Sequence, residues 1–150
     1  MKIVIQRVSK ASVTIYENKV AEIEQGLLIF LGIVDADGQE DINFLARKIA
    51  NLRIFNDEKG VMNNALLDMD ADVIVVSQFT LQASTKKGNR PSYLKAANSE
   101  TAIPLYENFV QTLEKEIGKK VQTGEFGADM EVELLNDGPI TIIIDSKNKE

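Results

Sequence analysis

The stretch VSQFTLQASTKKGNRPSY, residues 76–93, begins as an apolar β-like run and breaks into hydroxyls, lysines and an arginine. Ser77, Gln78 and Thr80 are either trim at the end of a strand or the polar lip of a site. Lys86, Lys87, Arg90 and Lys95 follow within ten residues that hold no acid. Position alone favours a solvated face for such a run, but its place beside the polar strand end also suits contact with phosphates. The Thr80 hydroxyl is a weak nucleophile unless a base takes its proton. The chain has no histidine and no cysteine, which removes Ser-His-Asp triads, thiol nucleophiles, disulfides and His- or Cys-ligated metals. The acidic segment DADGQED (35–41) lacks the ligand spacing of a calcium loop and reads as a turn into a helix, so neither metal nor cofactor is expected.

The elements that must hold these groups follow from periodicity. The segment KIVIQRVSKASVTIY reads as a strand pair or one long bent strand, with a turn at Asn18–Lys19 into VAEIEQ. GLLIFLGIV (26–34) is continuously apolar, as in a strand buried on both faces. Ile42, Leu45, Ala46, Ile49 and Leu52 keep helical spacing, LRIF is a short strand and NDEKG a turn. ADVIVVSQFTL (71–81) is the strongest central strand. Residues 99–118 form a second helix, with Ser99 as its cap, Pro104 near its start and Gly118 as its stop. KVQTGEF, DMEVELL and ITIIIDS then read as three strands bent at Gly124, Gly127 and Asn136–Pro139, and the tail KNKE as frayed. The expected fold is α+β: one domain over 1–150, mostly antiparallel and barrel-like, with two helices covering the sheet.

Composition bounds the function. The net charge of −6 argues against nonspecific binding along DNA, although a local patch can still be cationic. No apolar run reaches membrane-spanning length, and the opening MKIVIQRVSKASVTIYENK alternates instead of forming a signal-peptide core, so the expectation is a cytoplasmic protein without membrane contact.

Three segments stand out together: SQFTL (77–81), GEFGADM (124–130) and NDGPIT (136–141). With MKIVIQRVSKASVTI and its Arg7, LGIVDADG, KIANLRIF and KGNRPSY, they resemble the D-aminoacyl-tRNA deacylases from end to end. Ile140 stands where valine is usual. The resemblance implies a homodimer that hydrolyses the ester between a D-amino acid and the terminal adenosine of tRNA. It assigns Ser77, Gln78, Phe79 and Thr80 to the catalytic lip, where one donor aimed at the oxyanion is worth roughly 3–4 kcal/mol. Thr80 is favoured as an orienting group, with water activated by the ribose 2′-hydroxyl. The alternative is a covalent threonyl-enzyme. It further implies that Gly138–Pro139 is cis and reaches into the partner's pocket, walling out L-residues while leaving glycyl-tRNA imperfectly rejected. From sequence alone a trans bond is expected there.

Arg7, by default a surface arginine in a weak ion pair, is implied to brace the Gly-Pro loop. Phe126 and Met130, by default core, are implied to line the adenosine pocket, with Lys86, Lys87 and Arg90 on the tRNA. Two rival readings are a noncatalytic tRNA-binding module and an editing domain for L-seryl-tRNA of the threonyl-tRNA synthetase type. The second is disfavoured because the chain ends at 150 without a synthetase body.

Overall fold

In the computed structural model, which describes all 150 residues, the organising element is the long first strand, β1 (Lys2–Ile15). One edge of β1 pairs antiparallel with β2 (Asn18–Ile23) and β3 (Gly26–Gly32), and the other edge with β8 (Glu131–Asp145). β6 (Asp72–Ser77) lies parallel to β3, and β7 (Gln122–Thr123) parallel to β6. The ends of this curled sheet are tied by a side chain. The Gln122 amide accepts from Glu22 N–H at 2.7 Å and donates to Glu22 C=O at 2.8 Å, which links β7 to β2 and nearly closes a barrel.

β1 changes face partway along. Ile3 and Ile5 belong to one hydrophobic cluster, whereas Val8, Ala11 and Val13 belong to another. The odd-residue alternation breaks where the register against β8 shifts, between Gln6 and Lys10. Such a bulge re-aims every side chain beyond it. The first cluster packs one face of the sheet against the two helices; the second fills the barrel. β3 and β6 serve both: Leu27, Ile29, Leu31, Val73 and Val75 face the helices, and Leu28, Ile74 and Val76 the barrel. Burial on both faces explains why these strands read as unbroken apolar runs.

α1 (Gln39–Asn51) buries Ile42, Leu45, Ala46 and Ile49, and its Asp41 accepts from Gly38 N–H at 2.9 Å. α2 (Ser99–Ile117) buries Ala102, Tyr106, Phe109 and Leu113 against the same cluster. Complete burial of a side chain such as Phe109 contributes about 2–3 kcal/mol. The Tyr106 hydroxyl donates to Val75 C=O at 2.9 Å, and burial pushes its pKa up to about 12, so it remains a neutral donor. A short hairpin, β4 (Phe55–Asn56) with β5 (Met62–Asn64), lies off the main sheet.

Several local expectations are corrected. The first turn is Tyr16–Glu17, both at positive φ, and Asn18 already belongs to β2. The cap of α2 is Asn98, which accepts from Thr101 N–H at 3.0 Å, not Ser99. The central strand stops at Ser77, and Phe79–Gln82 coil into a 3-10 turn. DMEVELL and ITIIIDS are halves of one strand, β8, both paired with β1 across the Gly138–Pro139 bend. That bend is cis. The tail is docked: Lys147 Nζ lies 2.8 Å from Asp41, and Lys149 Nζ 4.4 Å from the Phe44 ring centroid. Burial would raise the Asp41 carboxyl, but hydrogen bonds from Lys147, Ser146 and the Gly38 N–H outweigh it and hold the pKa at about 2.

Candidate active site

Where β3 and β6 end side by side, the barrel opens into a cavity of about 290 Å3. Leu31, Val76 and Ser77 come from the strand ends, Ala97 from the loop just before α2, Ala102 from the first turn of α2, and Phe126 and Met130 from the segment before β8. Gln78 and Phe79 form its rim. The walls are mostly apolar, and Asp129 is the one charged residue on them. Phe126 is held in place edge-to-face by Tyr106, at 5.8 Å between ring centroids.

The rim is fixed to β3 by three contacts. Gln78 N–H donates to Leu31 C=O at 2.8 Å, and the Gln82 side-chain amide donates to Gly32 C=O at 3.0 Å. A Cβ on Gly32 would lie 2.9 Å from Leu81 Cβ and 3.0 Å from Gln78 O, so only glycine lets the turn sit this close. Phe79 and Thr80 begin the 3-10 turn, where the first N–H groups have no intrahelical acceptor, and no side chain caps them. Both amides therefore lack an intrahelical acceptor; that of Phe79 lies on the cavity rim, and that of Thr80 follows it in the turn. Chemically, that arrangement can hold an oxyanion.

Thr80 itself does not line the cavity. Its hydroxyl accepts from the Gln78 amide at 2.6 Å, and no base lies within hydrogen-bond reach. Of the four predicted lip residues, then, Ser77, Gln78 and Phe79 border the cavity, and Thr80 braces the rim from behind.

Gly138, Pro139 and Arg7 lie elsewhere. The register puts Leu31 of β3 beside Ser77, and Leu27 beside Arg7 at the bend. The bend is thus four residues down the strand, roughly 13 Å along the strand direction, and on the far side of β1 from the rim of the same chain. Arg7 is not a surface arginine: it is only 6% exposed. Its guanidinium donates to Ile54 C=O at 2.7 Å and to Asp137 C=O at 3.3 Å, and pairs with the Asp137 carboxylate at 3.2 Å. The Asn136 amide donates at 2.9 Å to both Arg7 C=O and Ile140 C=O. Gly138 adopts φ +125°, and a Cβ there would lie 2.7 Å from Ile140 Cγ1. The bend is rigid, exposed and glycine-dependent.

Lys86, Lys87 and Arg90 stand exposed on a loop whose ends are clamped by paired backbone bonds between Ser84 and Ser92, at 2.8 and 2.9 Å. None of the three takes part in an ion pair. Sequence reasoning missed Leu31, Val76, Ala97, Ala102 and Asp129 as lining residues. The two alanines flanking the start of α2 were the available signal, because small side chains at a helix end leave space.

An α+β barrel with an apolar cavity and uncapped backbone donors beside it is suited to acyl-transfer chemistry. The comparisons narrow it. A model of the D-Tyr-tRNA(Tyr) deacylase family matches residues 4–145. The chain is 65% identical to the D-aminoacyl-tRNA deacylase of Flavobacterium johnsoniae and 68% identical to that of Flavobacterium psychrophilum, in each case over the whole of both chains. Among solved structures it is similar to the c-Myc DNA Unwinding Element Binding Protein, with a TM-score of 0.90, 39% identity and 97% of this chain matched to 98% of that one. The chain belongs to the D-Tyr-tRNA(Tyr) deacylase family, and is therefore a hydrolase.

Proposed function

We propose that the protein hydrolyses D-aminoacyl-tRNA to free D-amino acid and tRNA, working as a homodimer. Within the site, the observation that carries this reading is the turn at Phe79–Thr80, whose first N–H groups have no intrahelical acceptor, beside an apolar cavity of about 290 Å3. Water adds to the ester carbonyl carbon, and those amides receive the oxyanion. With no histidine, no cysteine and no base beside Thr80, the proton of the attacking water passes through the ribose 2′-hydroxyl to the departing 3′-oxygen. The carbon–oxygen bond to the ribose then breaks. Phe126 and Met130 flank the terminal adenine, and Lys86, Lys87 and Arg90 contact phosphates.

The homodimer is supported by two features. The 15-residue strand β8 is paired along β1 only, and it leaves Leu135 55% and Ile143 67% exposed on an open edge. The rigid Gly138–Pro139 bend is also too far from its own rim to act there, whereas a partner's bend can roof the cavity. In that position it excludes an L side chain and leaves glycine, which has none, poorly rejected. The lifetimes of D-tyrosyl-, L-tyrosyl-, glycyl- and L-seryl-tRNA, with and without the protein, test the reading. D-tyrosyl-tRNA should be lost fast and L-tyrosyl-tRNA spared. Unchanged lifetimes throughout would make it a binding module, and selective loss of L-seryl-tRNA would make it an editing domain.

A further inference from the structure

Residues 73–99 contain four cations, Lys86, Lys87, Arg90 and Lys95, and no carboxylate, in a chain whose net charge is −6. The same segment carries a cluster of exposed apolar side chains. Phe79 is 56% exposed, Tyr93 40% and Leu94 95%. Phe79 and Tyr93 meet edge-to-face with centroids 5.0 Å apart, and the Ser84–Ser92 clamp fixes Tyr93 at the foot of the cationic loop. Because Phe79 also lines the cavity, cavity, aromatic pair and cations form one continuous track. Exposed aromatics beside unpaired cations suit single-stranded nucleic acid, whose bases stack on rings while its phosphates meet the charges.

If the terminal adenosine occupies the cavity, the RNA leading into it crosses this rim. We propose that Tyr93, with Leu94 and the exposed part of Phe79, forms a stacking platform for the unpaired nucleotide that precedes the terminal adenosine. This rests on the aminoacyl-tRNA reading. The loop cations hold the phosphates on either side of that nucleotide, and the platform sets the path by which the strand enters the cavity.

Three substrates test the proposal: D-tyrosyl-adenosine, a D-tyrosylated RNA hairpin with the natural single-stranded 3′ end, and the same hairpin made abasic at the nucleotide before the terminal adenosine. For the hairpin, Tyr93→Ala and the abasic change should each raise KM about tenfold, and together no further, since both remove one stack. Tyr93→Phe should behave as the wild type. For D-tyrosyl-adenosine, KM with Tyr93→Ala should stay within about twofold of wild type, because that substrate ends before the platform. An abasic hairpin with normal KM overturns the platform, as does a Tyr93→Ala defect equally large on D-tyrosyl-adenosine, which would mean that the ring only supports the rim. If the wild type hydrolyses neither D-tyrosyl substrate, the deacylase reading falls and the platform with it.

Discussion

Arg7, midway along β1, and the cations of the 84–92 loop are used in opposite ways. Arg7 is buried, and its guanidinium is bonded to Ile54 C=O, Asp137 C=O and the Asp137 carboxylate. Lys86, Lys87 and Arg90 are exposed and have no carboxylate partner. The backbone follows the same division. Asn136 ties the β8 bend to its neighbours through two 2.9 Å bonds, whereas the first amides of the Phe79–Gln82 turn beside the cavity are left open. A group whose bonding capacity is filled by the protein holds shape; a fixed group left unfilled is available to a ligand. The bend is finished by its own chain, and the rim is left open to a ligand.

The largest expected effect tests the emptiness of the rim. Since no base lies within hydrogen-bond reach of Thr80, removing the ribose 2′-hydroxyl from a substrate acylated on the 3′-oxygen should slow turnover about 10²–10⁴-fold with binding nearly intact. Thr80→Ala keeps its backbone N–H and should retain most of the activity, with no acyl-enzyme trapped. A normal rate on the 2′-deoxy substrate together with a dead Thr80→Ala would reverse the two roles.

At the finished bend, Arg7→Ala strands the buried Ile54 carbonyl and frees the bend's backbone. Denaturant titration should show a loss of about 3 kcal/mol. Lys86→Ala should change stability by less than about 0.5 kcal/mol. It should instead lower the slope of log affinity for tRNA against log salt by about one unit. A loop variant that destabilises the fold, or an Arg7 variant that only weakens tRNA binding, would erase the distinction.

The smallest effect concerns the docked tail, another filled site. Asp41 is held at about 2, below its ordinary 3.8, so its contribution to stability is complete above pH 4 and lost as pH falls toward 2. Lys147→Ala should flatten that acid limb of the stability curve and leave little change in its dependence on pH between 5 and 8. An unaltered acid limb would mean that Lys147 does not hold the carboxylate.

Much of this was legible in the residues, because periodicity reports burial. The continuous apolar runs of β3 and β6 marked strands packed on both faces, and the helical spacing of Ile42, Leu45, Ala46 and Ile49 marked α1. What escaped were features set by partners distant in sequence. The stop at Ser77 depends on Gly32 and Leu31 of another strand, which hold the following turn. Arg7 looked like an outward residue in an alternating strand, and it is buried because the bulge after it ends one core while the Ile54 and Asp137 carbonyls converge on it. The tail looked frayed because its anchor, Asp41, is 106 residues away from Lys147. Ala97 and Ala102 offered only their small size as a signal: alanine carries no chemistry until the fold places it beside a space.

The account stands on the claim that the finished bend of one chain completes the open rim of another, and a heterodimer of two variants measures this directly. Gly138→Ala forces a Cβ against Ile140 at a backbone angle that disfavours it, so its homodimer should lose discrimination between D- and L-tyrosyl-tRNA by about tenfold or more. Ala128→Trp fills the cavity of its own chain but leaves its bend intact. In a heterodimer purified through two different tags, the one open cavity lies on the Gly138→Ala chain and is roofed by the wild-type bend of the Ala128→Trp chain. The prediction is wild-type discrimination at about half the rate per dimer, one site of two being active. A heterodimer as permissive as the Gly138→Ala homodimer would contradict it, as would a Gly138→Ala homodimer as selective as the wild type, or the failure of the two chains to associate at all.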